Sequence, residues 1–106
     1  MAKYLLVYHG GRMPESPEES QKIMGAWGEW FGKLGPNLLD GGQPIAHAKT
    51  IGTGGVSDGG GTNPASGWSI ISAGSLDEAV SLAQECPVLQ GGASIEVAEA
   101  MDIPGM

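Results

Sequence analysis

Lys3-Tyr4-Leu5-Leu6-Val7-Tyr8-His9 is the stretch on which the fold turns. Its run of Tyr, Leu and Val predicts a strand. Alternation along a strand sends Tyr4, Leu6 and Tyr8 to one face and Leu5, Val7 and His9 to the other. Both sets are largely apolar. A strand of that kind belongs in the middle of a sheet covered on both sides.

Working outward, Gly10 to Pro14 reads as a loop and Ser16-Pro17-Glu18-Glu19 as a helix start. Ser16 can cap, Pro17 suits the first helical position, and Glu19 completes a capping box. Ile23, Trp27, Trp30, Phe31 and Leu34 then follow helical spacing. Gly25, Gly28 and Gly32 lower the helix propensity and would permit close approach to the sheet or a partner. Gly35-Pro36 ends the helix. Leu38-Leu39 predicts a second short strand, and Ala46 to Ile51 an edge segment. Gly52 to Ser66 reads as one long turn region. Trp68 to Ala73 is a strand. Ser75-Leu76-Asp77-Glu78 opens a second helix, with Leu76, Ala79, Val80 and Ala83 on one face and Pro87 as its stop. Ser94 to Ala98 is the last strand, and residues 101–106 form a loose tail.

The order is β-α-β-β-α-β over one domain, residues 1–106. With an antiparallel sheet it gives the ferredoxin-like, split βαβ class of α+β fold. Two helices cover one sheet face only. The other face, with Tyr8 or its neighbours and Trp68 or Ile71, would leave a large apolar patch in water. A second subunit packed face to face would cover it, so a homodimer is expected.

The chain has 12 acidic residues against 5 Lys and Arg, a net charge of −7. Nucleic-acid binding relies on Lys and Arg neutralising phosphates, so this class is set aside. The apolar run Leu5 to Val7 is too short for a signal-peptide core, and no stretch is long enough to span a membrane. A cytoplasmic protein is expected. The single cysteine, Cys86, cannot form an internal disulfide and reads as a buried thiol. Two separated histidines and scattered carboxylates show no metal-ligand spacing, and no cofactor is indicated.

Several motifs in this order resemble the YCII-related proteins and their DGPF branch. They are Lys3-Tyr4-Leu5-Leu6-Val7-Tyr8, Trp27-Gly28-Glu29-Trp30-Phe31, Leu38-Leu39-Asp40-Gly41-Gly42, Val56-Ser57-Asp58-Gly59, Gly67-Trp68-Ser69-Ile70-Ile71, Ser75-Leu76-Asp77-Glu78-Ala79 and Cys86-Pro87. The resemblance implies a dimeric α+β barrel with a cleft between sheet and helices near the dimer interface. It also implies a His-Asp pair, with the histidine on the first helix and the aspartate after the second strand. Asp40 matches that aspartate. The helix holds Ala26, Trp27 and Gly28 where the histidine would be, and Gly60-Gly61 stand where the DGPF motif ends in Pro-Phe.

Asp40 therefore has two readings. One is a general acid or base whose pKa is raised in an apolar cleft. The other is a turn aspartate bonding local backbone before Gly41-Gly42. His9 or His47 could supply the missing imidazole, because a dyad is defined by geometry; each could equally be a surface histidine. Asp58 with Gly59-Gly60-Gly61 could hold an anion on backbone N–H groups, serve as a lid, or be a flexible hairpin loop. Trp27 could present a stacking surface in place of the histidine. Tyr8 and Ser72 are candidate polar liners of the pocket. Two functions follow. One is a small-ligand-binding or regulatory homodimer; the other is an enzyme moving protons on a small cyclic or aromatic molecule.

Overall fold

Strand β1, Ala2–His9, lies at the centre of the sheet, as its two apolar faces require. The computed structural model describes residues 1–105. Helix α1 is Pro17–Leu34 and β2 is Leu38–Asp40; β3 is Lys49–Gly52 and β4 is Gly55–Asp58. Strand β5, Ala65–Ala73, helix α2, Leu76–Ala83, and β6, Ser94–Glu99, complete the chain. Four strands form one sheet in the order β2-β5-β1-β6. All pairings in it are antiparallel. Apart from β3 and β4 this is the ferredoxin-like arrangement.

Both helices lie on one face. Trp30 and Leu34 of α1 and Ala79 and Ala83 of α2 pack on Tyr4, Leu6, Tyr8, Ile71 and Ala73. Leu6 and Ile71 are fully buried, each worth about 1.5–3 kcal/mol relative to exposure. Register explains the choice of face. Tyr4 sits opposite Ile71 and Leu6 opposite Ser69, while Leu5 sits opposite Ile70 and Val7 opposite Trp68. Tyr8 and Ile71 thus belong to the helix-covered face, and the open face carries Leu5, Val7, Trp68 and Ile70. Of the alternatives left open by the sequence, the uncovered side therefore carries the neighbours of Tyr8, and Trp68 in place of Ile71.

The helix starts form as the sequence predicts. The Ser16 hydroxyl accepts from the Glu19 amide at 3.1 Å, and the Ser75 hydroxyl from the Glu78 amide at 3.1 Å. The return bond at the first cap goes one residue further back, from the Glu15 amide to the Glu19 carboxylate at 3.3 Å. Gly25, Gly28 and Gly32 do not serve close packing within the chain: a Cβ at any of them would meet nothing within 4 Å. On α2 the buried positions are Ala79 and Ala83, while Leu76 and Val80 stay exposed.

Residues 46–66 depart from expectation. Lys49–Gly52 is not an edge of the main sheet. It turns back through Thr53-Gly54 and pairs with Gly55–Asp58, Ile51 opposite Val56. All eight residues of this arm are exposed. The radius of gyration is 15.3 Å, against about 13 Å for a compact chain of this length. Of the expected tail, residues 101–105 are exposed and carry neither helix nor strand; residue 106 lies outside the described residues. No helix among the described residues is long and apolar enough to cross a membrane.

Candidate functional site

Between α1 and the β2 end of the sheet lies a cleft of ≈ 690 Å³. Trp27 and Phe31 of α1 form one wall, with Ile23 and Met24 at the lip. Tyr8 and Gly67 form the floor, and Gly41 to Pro44 the opposite rim. Helical spacing brings Trp27 and Phe31 to the same side one turn apart. Trp27 is half-buried and meets Tyr8, Trp30 and Phe31 edge-on, with ring centroids 5.5, 5.6 and 5.6 Å away. An indole fixed from three sides keeps its orientation when a ligand arrives, which lowers the ordering cost of binding.

The rim is set by a hydrogen-bond chain. The Tyr8 hydroxyl donates to Ser69 Oγ at 2.7 Å, and Ser69 Oγ donates to the Gly41 carbonyl at 2.8 Å. Ser69 is fully buried, so its bond with Tyr8 is made away from water, where leaving it unmade is costly, while its bond to Gly41 is part-buried. Cys86 belongs to the same buried cluster as Tyr8. Burial raises the Tyr8 phenol well above its ordinary range, against the opposing effect of the Ser69 bond. Burial likewise pushes the Cys86 thiol up to about 11. Both groups therefore stay protonated at neutral pH, as donors and not as bases or nucleophiles.

Gly42 closes the rim tightly. It has φ 73°, and a Cβ there would lie 1.6 Å from the Trp68 carbonyl oxygen. Only glycine permits both the left-handed turn and this approach.

Of the residues singled out in the sequence, Tyr8 and Trp27 meet in the cleft. Ser72 does not: it alternates with buried Ile71 and Ala73, faces away from the helices, and its hydroxyl reaches the Asn37 carbonyl at 3.5 Å. Asp58 lies at the end of the arm, its carboxylate 2.9 Å from Lys49 Nζ. Asp40 is exposed and accepts from the Gly42 amide at 2.9 Å, the turn geometry. His9 faces the open side of the sheet. Its Nδ1 lies 3.0 Å from the Asn63 carbonyl and its Nε2 3.3 Å from Glu96. His47 is exposed between the rim and the arm.

The structure does not join Asp40 to either imidazole by a hydrogen bond. Asp40 is opposite Ile70 and His9 opposite Ala65 on the intervening strand, a separation of roughly 17 Å along the strand direction at about 3.4 Å per residue. Among the described residues, no group of three or more His, Cys, Asp or Glu could hold a metal ion. Sequence reasoning missed the rim residues Gly41 to Pro44 and the relay role of Ser69. A hydroxyl midway along the apolar run Trp68 to Ile71, on the Tyr8 side by alternation, was the available signal for Ser69.

Fold and cleft together define the class: a ferredoxin-like α+β domain with an aromatic-walled cleft beside its first helix. No family model and no curated protein matches the chain. A solved structure that does match is the 5-chloro-2-hydroxyhydroquinone dehydrochlorinase TftG from Burkholderia phenoliruptrix AC1100, in complex with 2,5-dihydroxybenzoquinone. The two chains are 20% identical, with a TM-score of 0.56 over 94% of this chain and 95% of that one. The likeness is one of fold.

Proposed function

We propose that this chain is a YCII-type homodimer that binds a small planar ring compound in the Trp27 cleft. The observation that carries the reading is Trp27 itself: a half-exposed indole, braced by three rings, forming the wall of a cleft whose lining is mostly apolar. Concave, apolar sites with a few placed polar groups are the usual form of small-molecule pockets. The fold neighbour, which was solved with a ring compound bound, supports the same class of ligand. The second copy covers the open sheet face carrying Leu5, Val7, Trp68 and Ile70.

Calorimetric titration with a neutral bicyclic probe, 2-naphthamide, tests the binding claim. Trp27→Ala should weaken binding by about tenfold or more, from lost stacking and lost buried area. Equal affinities in wild type and variant would remove the cleft as the site.

A second reading is proton transfer on such a ring by Asp40 with His47, since His9, expected as the other candidate, stands five residues further along the intervening strand. It is favoured by the position of Asp40, immediately before the cleft-lining Gly41 and Gly42. It requires an imidazole to reach Asp40. Ring-proton exchange of resorcinol in deuterated buffer, followed by NMR, separates the two readings. Faster exchange with wild type than with Asp40→Asn supports catalysis; equal rates leave the binding function alone.

A further inference from the structure

The aromatic cleft does not end at Trp27. A second hollow, ≈ 700 Å³, adjoins it and shares Ile23, Trp27, Pro44, Ser66 and Val88 as a common wall. Its character is different. Arg12 and Lys22, two of the five Lys and Arg residues in a chain of net charge −7, both line it.

The two cations are not equivalent. Glu19 holds the Arg12 guanidinium at 2.8 Å, and Glu15 approaches it at 4.0 Å. Glu19 also lines the hollow, so its charge is answered by Arg12. Lys22 has no carboxylate within 4.0 Å among the described residues. Lys22 is exposed on α1 and lines the second hollow, whose wall at Ile23 and Trp27 is shared with the aromatic cleft. In an acidic chain, where most of the surface repels anions, that position is the locally favourable one for negative charge.

We infer that the ligand of the Trp27 cleft carries an anionic group, a carboxylate or phenolate, that extends from the aromatic chamber toward Lys22. This rests on the proposed binding function and names the ligand class for the same site. The ring occupies the wall made by Trp27 and Phe31. The acid group crosses the shared boundary and meets the ammonium in partly exposed surroundings, so the contact contributes selectivity more than affinity.

Paired titrations with 2-naphthoate and 2-naphthamide, of nearly equal shape, read the charge alone. Wild type should prefer the carboxylate by about three- to fivefold at low salt, and the preference should shrink as salt is raised. In Lys22→Gln the two probes should bind alike, while Lys33→Gln, in the last turn of the same helix, should keep the preference. Equal affinities in wild type, or a preference that survives Lys22→Gln, would overturn this inference and leave the cleft as a neutral-ring site. Binding of neither probe would overturn the proposed function, and this inference with it.

Discussion

Tyr8 shows how much a single side chain can connect. Its ring meets Trp27 edge-on, its hydroxyl holds Ser69, and Ser69 in turn holds the rim at Gly41. Its titration, and that of Cys86 beside it, links the site to alkaline stability. Both folded-state pKa values lie above the ordinary ones, 10.0 for the phenol and 9.0 for the thiol. The folded state therefore keeps protons that the unfolded chain gives up. The stabilising contribution is complete below pH 9 and declines as pH rises toward about 11, where the folded thiol titrates. Urea midpoints should fall as pH rises from 9.0 toward about 11, and Cys86→Ala should flatten that fall. A midpoint slope unchanged in Cys86→Ala would place the alkaline loss elsewhere. At this scale the sequence was readable where a residue type has one dominant preference. The buried thiol was foreseen and is found, 2% exposed. Asp40 was not resolvable, because a turn aspartate and a cleft acid are written with the same residues; the choice depends on which neighbours the tertiary fold delivers.

Among the elements, α1 and the β3–β4 arm differ most in how their order is maintained. The helix has a proline at its first turn, a serine cap and a buried Trp30 and Leu34. The arm has one ladder, a two-residue turn and full exposure, with Ile51 80% and Val56 63% exposed. Two-stranded hairpins alone are marginal in water. Hydrogen exchange should therefore show residues 49–58 losing protection early, while the amides between β1 and β5 exchange only near global unfolding. Equal protection in both would mean the arm is clamped by something outside the single chain. The helices were legible in the sequence because caps and spacing are local. The arm was hidden because Gly52 to Ser66 is rich in turn residues, and pairing of Lys49–Gly52 with Gly55–Asp58 adds stability only through cross-strand bonds that composition does not register. The edge-strand expectation for Ala46 to Ile51 failed for the same reason.

For the whole molecule, the decisive surface is the one no helix covers. Leu5 is 38% exposed, and Val7, Trp68 and Ile70 are half-buried on that face. Ile70→Lys would place a charge opposite Leu5 in the register. Light scattering should report a dimer for wild type and a monomer for this variant, with the circular dichroism of the fold retained. A wild-type monomer at micromolar concentration would count against the proposed pairing. The central position of the first strand was readable from seven residues, because apolar alternation on two faces has few physical solutions. Which face the helices take was not, since Tyr8 and Val7 are both acceptable to a core; the register with Ile71 and Ser69 decides it. Gly28 lines the cleft on a well-formed helix, with open space where a side chain would stand. Alanine there would raise helix propensity by about 1 kcal/mol while narrowing the chamber. For an engineer, the cleft is thus a dial turned against thermal robustness: the simplest route to a hardier scaffold also shrinks what it can hold.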